Sequence, residues 1–336
     1  MKKLFVIASI VMAILVISAC GQKSQEEVVQ SLTKKVENMK SYKADAKMTL
    51  KMGDNPQVYD VEVWYKNPDF YRVKLKNQNK EQNQMILRNK EGVYVLTPAL
   101  KKSFHFQSDW PKNSSQAYLY ESIVKDIVDD KKATFKVTEN QYVFETKTRY
   151  QNSKMLPYQE VTLNKKDLAP VSVKIMDPDR NILVTVDFSD VSFDSSFDSD
   201  AFDMKKNMTG AQLEIPVMAE VDEEEFSLKL PAEMEGIDLV DEKEIATEDG
   251  KRYVLTYEGD RSFTLIAEKT EVVETMSSIA TSVLGDPVDL GFTIGAITDR
   301  SISWTYEGVD YMLASQNLTQ EEMMEIARSV QAKPEK

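Results

Sequence analysis

Residues 41–52 read Ser41-Tyr42-Lys43-Ala44-Asp45-Ala46-Lys47-Met48-Thr49-Leu50-Lys51-Met52, and their period decides the fold. Ala44, Ala46, Met48, Leu50 and Met52 alternate with charged or polar neighbours, the signature of a strand with one apolar face. Gly53-Asp54-Asn55-Pro56 is a turn cluster. Beyond it Tyr59, Val61, Val63 and Tyr65 alternate with Asp60, Glu62, Trp64 and Lys66, which predicts a hairpin. Asn67-Pro68-Asp69 turns the chain into Tyr71, Val73 and Leu75, and shorter strands are expected near 85–87 and 92–96. The pattern is an antiparallel meander.

Working outward, Val28, Val29, Leu32, Val36 and Met39 recur at helical spacing and predict an amphipathic helix over 25–41. A second helix is expected over 115–130, where Leu119, Tyr120, Ile123, Val124, Ile127 and Val128 share a stripe. Strands resume around 134–137, 142–148, 158–163, 171–175 and 182–188. About ten strands with one apolar face each cannot stay flat and wet, so the sheet must curl on itself or be covered by the helices. Residues 190–203 are polar and acidic, with Phe193, Phe197 and Phe202 expected to tuck against the sheet edge.

This first domain spans 23–208, and 209–216 reads as a linker. The pattern restarts in a smaller α+β domain over 217–332: strands are expected at 226–230, 253–257, 263–267, 292–297, 301–306 and 309–315, with a helix over 271–283. Thr319 and Glu322 have capping-box spacing ahead of a last helix carrying Met323, Ile326, Ala327 and Val330. The fold class is mainly β with α.

At the N-terminus Lys2 and Lys3 precede an apolar run from Leu4 to Ile17. That run is roughly 14 residues against the ~20 of a spanning helix, so residues 1–20 read as a signal peptide. It closes on Ile17-Ser18-Ala19-Cys20-Gly21, which resembles the bacterial lipobox and implies a mature chain lipidated at Cys20. Cys20 is the only cysteine, so no disulfide forms within the chain. Two acyl chains at ~0.8 kcal/mol per buried methylene would hold the protein on the extracytoplasmic face of the cell membrane. With 42 Lys plus Arg against 55 Asp plus Glu, the net charge of −13 repels a phosphate backbone, and no nucleic-acid partner is expected.

The order helix, Ser41-Tyr42-Lys43-Ala44-Asp45-Ala46, then Trp64-Tyr65-Lys66-Asn67-Pro68-Asp69-Phe70-Tyr71-Arg72 resembles the LolA/LolB lipoprotein-carrier superfamily. Glu91-Gly92-Val93-Tyr94-Val95-Leu96-Thr97-Pro98, Ile175-Met176-Asp177 through Val186-Asp187-Phe188, and the closing Phe202 extend the likeness. The resemblance implies a curved, incompletely closed antiparallel β-barrel with a helical lid over an apolar cavity that takes acyl chains. Asn67 stands before Pro68 where the soluble carrier has a gating arginine. A tethered chain with a second domain is more similar to the LolA-like lipoproteins of spore-forming Gram-positive bacteria, the YdcC and GerS group, which implies a role in sporulation or germination. Ser303-Trp304-Thr305-Tyr306-Glu307-Gly308-Val309-Asp310-Tyr311 and the stretch from Leu318 to Val330 resemble a small domain of unknown function found in bacilli.

The candidate cavity lining is Met48, Leu50, Val61, Val63, Val73 and Leu75 from the strands, with Leu119, Ile123 and Ile127 from the covering helix. An apolar strand face is equally a core face; Met48, Met52 and Met85 suit an adaptable apolar surface. His105, the one histidine, alternates with Phe104 and Phe106 and reads as a rim residue. One histidine and one acylated cysteine build neither a Cys-His pair nor a histidine metal cluster. The Asp194, Asp198, Asp200 and Asp203 run lacks EF-hand spacing. No catalytic residue, metal or cofactor is expected. Two functions remain open: binding a lipid or the acyl part of a lipoprotein, or serving as an interaction platform for another envelope or spore protein.

Overall fold

The computed structural model describes residues 23–51, 56–78, 83–112, 114–150, 154–213, 228, 230–231, 236–247, 250–269, 280–290, 292–306 and 308–330. Cys20 and its leader, Met52 and the turn at 53–55 lie outside them. Helix α1 (Gln25–Asn38) starts at a capping box that the periodicity alone does not reveal: Ser24 Oγ accepts from Glu27 N at 3.3 Å, and Ser24 N donates to Glu27 Oε2 at 2.8 Å. Its stripe buries Val28 and Leu32.

Eleven antiparallel strands follow. They are β1 (Ser41–Leu50), β2 (Gln57–Lys66), β3 (Phe70–Asn77), β4 (Asn83–Asn89), β5 (Gly92–Thr97), β6 (Lys102–Phe106), β7 (Thr134–Val137), β8 (Gln141–Lys147), β9 (Tyr158–Asn164), β10 (Pro170–Met176) and β11 (Ile182–Phe193). In space β1 lies between β2 and β11, so the chain closes back on its own start, and the order runs β6-β5-β4-β3-β2-β1-β11-β10-β9-β8-β7. Bulges bend it: the register shifts between Asp45 and Ala46 against β11, between Ile175 and Met176 against β11, and between Pro170 and Ser172 against β9. An extra residue on one strand raises the local twist, which curls a sheet this long. The two ends do not meet.

Helix α2 (Tyr120–Asp129) lies with α1 on the face bearing Tyr42, Ala44, Ala46 and Met48. It begins five residues later than the sequence suggests, because Ser115 and Gln116 are bound into side-chain hydrogen bonds instead. A third helix, α3 (Met204–Leu213), covers the opposite face and takes up residues 209–213 of the expected linker. Asp203 Oδ1 accepts from Lys206 N at 2.8 Å at its start. Phe197 and Phe202 do not sit at an edge: they lie on this outer face against Trp64 and Phe70, at 5.4 and 5.6 Å between ring centroids. Met85, Leu87, Tyr94 and Leu96 are buried there with Met208 and Ala211. The signal was present, since Met85-Ile86-Leu87 and Val93-Tyr94-Val95-Leu96 are apolar on both faces, as a doubly covered strand requires.

The second domain is a seven-stranded antiparallel sheet. Its strands β12 (Ile237–Thr247), β13 (Gly250–Gly259), β14 (Phe263–Lys269), β16 (Asp286–Asp289), β17 (Ile294–Ile297), β18 (Ser301–Tyr306) and β19 (Val309–Ala314) take the order β12-β13-β14-β19-β18-β17-β16. Helix α4 (Gln320–Ser329) starts at the Thr319–Glu322 capping box and buries Met323, Met324, Ile326 and Ala327 against it. Residues 281–283, expected as the end of a helix, form β15 (Thr281–Val283) and pair in parallel with β6, Thr281 opposite Phe104 and Val283 opposite Phe106. The rest of that expected helix, 271–279, lies outside the described residues.

Candidate functional site

The curl of the sheet and the alternation of β1, β2 and β3 bring the nine sequence-predicted residues together. Met48, Leu50, Val61, Val63, Val73, Leu75, Leu119, Ile123 and Ile127 belong to one cluster, none more than 6% exposed, with Val63, Val73 and Leu119 at 0%. Each fully buried aliphatic side chain there contributes ~1.5–3 kcal/mol. Of the three methionines, Met48 is in this cluster, Met85 faces the other side under α3, and Met52 is outside the described residues.

One end of this inner face carries a tyrosine cage. Tyr42, Tyr65, Tyr71, Tyr120 and Trp110 meet in tilted and edge-to-ring contacts at 5.0–6.3 Å between centroids. Into it α2 points Glu121, whose Oε2 accepts from the Tyr42 hydroxyl at 3.0 Å while Oε1 is buried with no hydrogen-bond partner among the described residues. Burial pushes the carboxyl up to about 7, against the hydrogen bonding that favours its charged form. Asn67, at the departure from the carrier motif, instead holds the link between α1 and β1: its N–H donates to Lys40 O at 2.8 Å.

On the other side of α2, Asp126 sits three residues after Ile123, a charge on an apolar stripe that the sequence displays. It is 2% exposed, and Oδ2 accepts from Ser115 Oγ at 2.8 Å and Gln159 Nε2 at 2.7 Å, while Arg149 pairs with Oδ1. Burial raises its pKa and Arg149 opposes the rise. Both carboxylate oxygens accept from the surrounding side chains and Thr146 Oγ1 of β8 donates to Asp126 O at 3.1 Å, so the network pins α2 to β8 and β9.

The far end of the inner face is closed by the second domain. Ile294 and Ala296 of β17 lie in the first domain's core, whereas Ile297 faces the second core. The carboxamide of Gln84 holds the inserted segment: Nε2 donates to Thr293 Oγ1 at 2.8 Å, and Ile294 N donates to Oε1 at 3.1 Å. Thr293 Oγ1 donates in turn to Thr305 O at 3.0 Å. The Tyr59 hydroxyl lies 3.2 Å from Phe292 O, and Lys102 pairs with Asp310 at 3.0 Å. These partners are more than 200 residues apart in the chain, so no local pattern announces them.

The remaining candidates have structural partners. His105 stacks on Tyr94 at 4.5 Å with 12° between planes, and its Nε2 lies 3.0 Å from Glu91 O. Asp200 pairs with Lys206 at 2.7 Å. Among the described residues, no group of three or more His, Cys, Asp or Glu side chains is placed to hold a metal ion.

The chain is 53% identical over 326 residues to sporulation protein YdcC of Bacillus subtilis (strain 168), covering 97% of this chain and 96% of that protein. Among solved structures it is similar to a chain of the Clostridioides difficile CwlD amidase–GerS lipoprotein complex (17% identity, 53% of this chain and 98% of that chain, TM-score 0.31). It is also similar to the LolA superfamily protein NE2245 of Nitrosomonas europaea (12% identity, 53% and 98%, TM-score 0.30). A family model described as sporulation protein YdcC-like matches residues 1–202. With that match and the relative that spans nearly its whole length, the chain belongs to the sporulation protein YdcC-like family.

Proposed function

We propose that this sporulation-family protein is a lipoprotein tethered through Cys20 to the outer face of the cell membrane, where its LolA-like sheet serves as a rigid platform for a protein partner instead of carrying acyl chains. The observation that carries this reading is the filling of the inner face: its candidate lining is at most 6% exposed, and Ile294 and Ala296 of the second domain complete the packing. An acyl carrier needs an apolar volume that empties and refills. The side chains of this face are buried together with Ile294 and Ala296 of a second domain that a simple carrier does not need, which supports the platform reading.

The test is uptake of a fluorescent fatty acid by the detergent-solubilised full chain, together with native mass spectrometry for a co-purified lipid. The platform reading expects no saturable uptake and no lipid adduct beyond the N-terminal anchor. Saturable uptake abolished by Val63→Asp, at a denaturant concentration where that variant is still folded, would establish lipid binding in its place. A partner that crosslinks to the outer or edge strands of the first sheet in sporulating cells supports the platform directly.

A further inference from the structure

We propose that Glu121 and the tyrosines around it form a proton-dependent clasp on α2: a protonated carboxyl holds the first turn of the helix against the sheet, and an ionised one lets that turn lift away. The device rests neither on the platform reading nor on the membrane anchor.

The clasp exists because α2 starts without a cap of its own. Its N-cap residue, Leu119, has an extended backbone and a side chain that accepts no hydrogen bond, whereas α1 and α4 each open on a capping box. The first N–H groups of a helix have no partner inside it and must find one outside. Tyr42 of β1 supplies it. Tyr120 N donates to the Tyr42 hydroxyl at 3.2 Å, and that hydroxyl donates in turn to Glu121 Oε2 at 3.0 Å. The start of the helix is thereby joined to the sheet through a titratable side chain.

The two ends of α2 are held differently. Toward the C-terminal end, Asp126 accepts from Ser115, Gln159 and Arg149, and the Asp130 carboxylate accepts from Lys132 N and from Lys147 N, each at 2.9 Å. At the N-terminal end no cation pairs with Glu121 among the described residues, and Oε1 is buried without a hydrogen-bond partner among them. A charge left so is uncompensated, which costs more than a neutral acid with the same unmatched oxygen. Glu121 as a residue is only half-buried. A small outward movement of the first turn therefore takes the carboxylate to water while the Asp126 end stays in place.

The groups that surround the carboxyl do not supply the missing charge. Tyr42 of β1 and Tyr71 of β3 face it, and Tyr65 of β2 is in ring contact with both. Burial pushes these phenols up, so they stay neutral donors while Glu121 titrates. Asp69 acts on Tyr65 and Tyr71 and is bridged to Lys112 at 2.8 Å. Lys35 of α1 lies 3.5 Å from the Phe193 ring, its charge answered by Asp167 and Asp194. Burial outweighs the hydrogen bonds from Tyr42 and Tyr71 and pushes the Glu121 carboxyl up to about 7, so the clasp weakens as pH rises through neutrality. Tyr42 and Tyr71 are 1% and 4% exposed. Release of the turn bares their ring edges at one end of the inner face.

Hydrogen exchange of the full chain in nonionic detergent at pH 6, 7 and 8, with each amide corrected for its intrinsic rate, decides between a clasp and a fixed helix start. The amides of Tyr120 and Ile123 belong to the first turn. They are expected to lose about tenfold in protection between pH 6 and pH 8, the loss imposed by a carboxyl at about 7 that returns to its ordinary range in the open form. They should stay less protected than the amides of Val161 in β9 and Val173 in β10 and ignore urea below the unfolding transition, as local opening does. Glu121→Gln keeps the shape and cannot ionise, and should hold both amides at one level of protection across the pH range. First-turn amides that follow Val161 and Val173 in urea report global unfolding alone and overturn the clasp. Protection that is flat with pH in the wild type, or that falls equally in Glu121→Gln, overturns it as well.

Discussion

The Tyr42 hydroxyl donates to Glu121 Oε2 at 3.0 Å and lies 3.2 Å from the backbone N–H of Tyr120, so one phenol serves both the first turn of α2 and its buried carboxyl. Burial sets the folded pKa of Glu121 at about 7, above the ordinary carboxylate value of 4.5 that it regains on unfolding. Between those two values the native state binds more protons than the unfolded chain, so stability falls as pH rises through that window. The expected loss between pH 5 and pH 8 is on the order of 2 kcal/mol. Glu121→Gln should flatten this dependence and raise stability at pH 8. Urea midpoints of both proteins at four pH values check it, and parallel curves would show that Glu121 is not the cause.

Asp126→Ala removes the acceptor shared by Ser115, Arg149 and Gln159. Leaving these donors unmatched in the interior should cost about 3–5 kcal/mol. Chemical denaturation measures the loss, and a change under about 1 kcal/mol would mean that water repairs the network.

Gln84→Ala deletes two hydrogen bonds from the first domain to the second, one to the Thr293 hydroxyl and one from the Ile294 amide. A loss of about 1–3 kcal/mol is expected, because the inserted Ile294 amide is left without its acceptor. Hydrogen exchange at Ile294 should accelerate while amides of β13 and β14 keep their protection. Uniform acceleration across the second sheet would instead point to global destabilisation.

Cys20→Ser should leave the chain unacylated and move it from the membrane fraction to the medium, since no other lipid attachment is expected. Fractionation of cells expressing the two forms measures this. Unchanged membrane association would remove tethering from the proposal.

Much of the architecture follows from the sequence by itself. The period of two from Ala44 to Leu50 and from Tyr59 to Tyr65 dictates strands with one buried face, and the stripe through Leu119, Ile123 and Ile127 dictates a helix laid on them. Thr319 and Glu322 start α4 as their spacing requires, because a cap is made within four residues. Local periodicity also declares that Met48, Val63 and Val73 are buried. It cannot declare what buries them, since a ligand and a neighbouring strand satisfy the same apolar face equally well. Tertiary structure decided that: pairing of β1 with β11 brings the ends of the first domain together, and Ile294, more than 200 positions after Gln84, enters its core. It likewise sent Phe197 and Phe202 to the outer face and turned 281–283 into a strand beside β6. Those outcomes depend on which distant surfaces meet, and a pattern that repeats every two or every 3.6 residues carries no information about contacts hundreds of residues away.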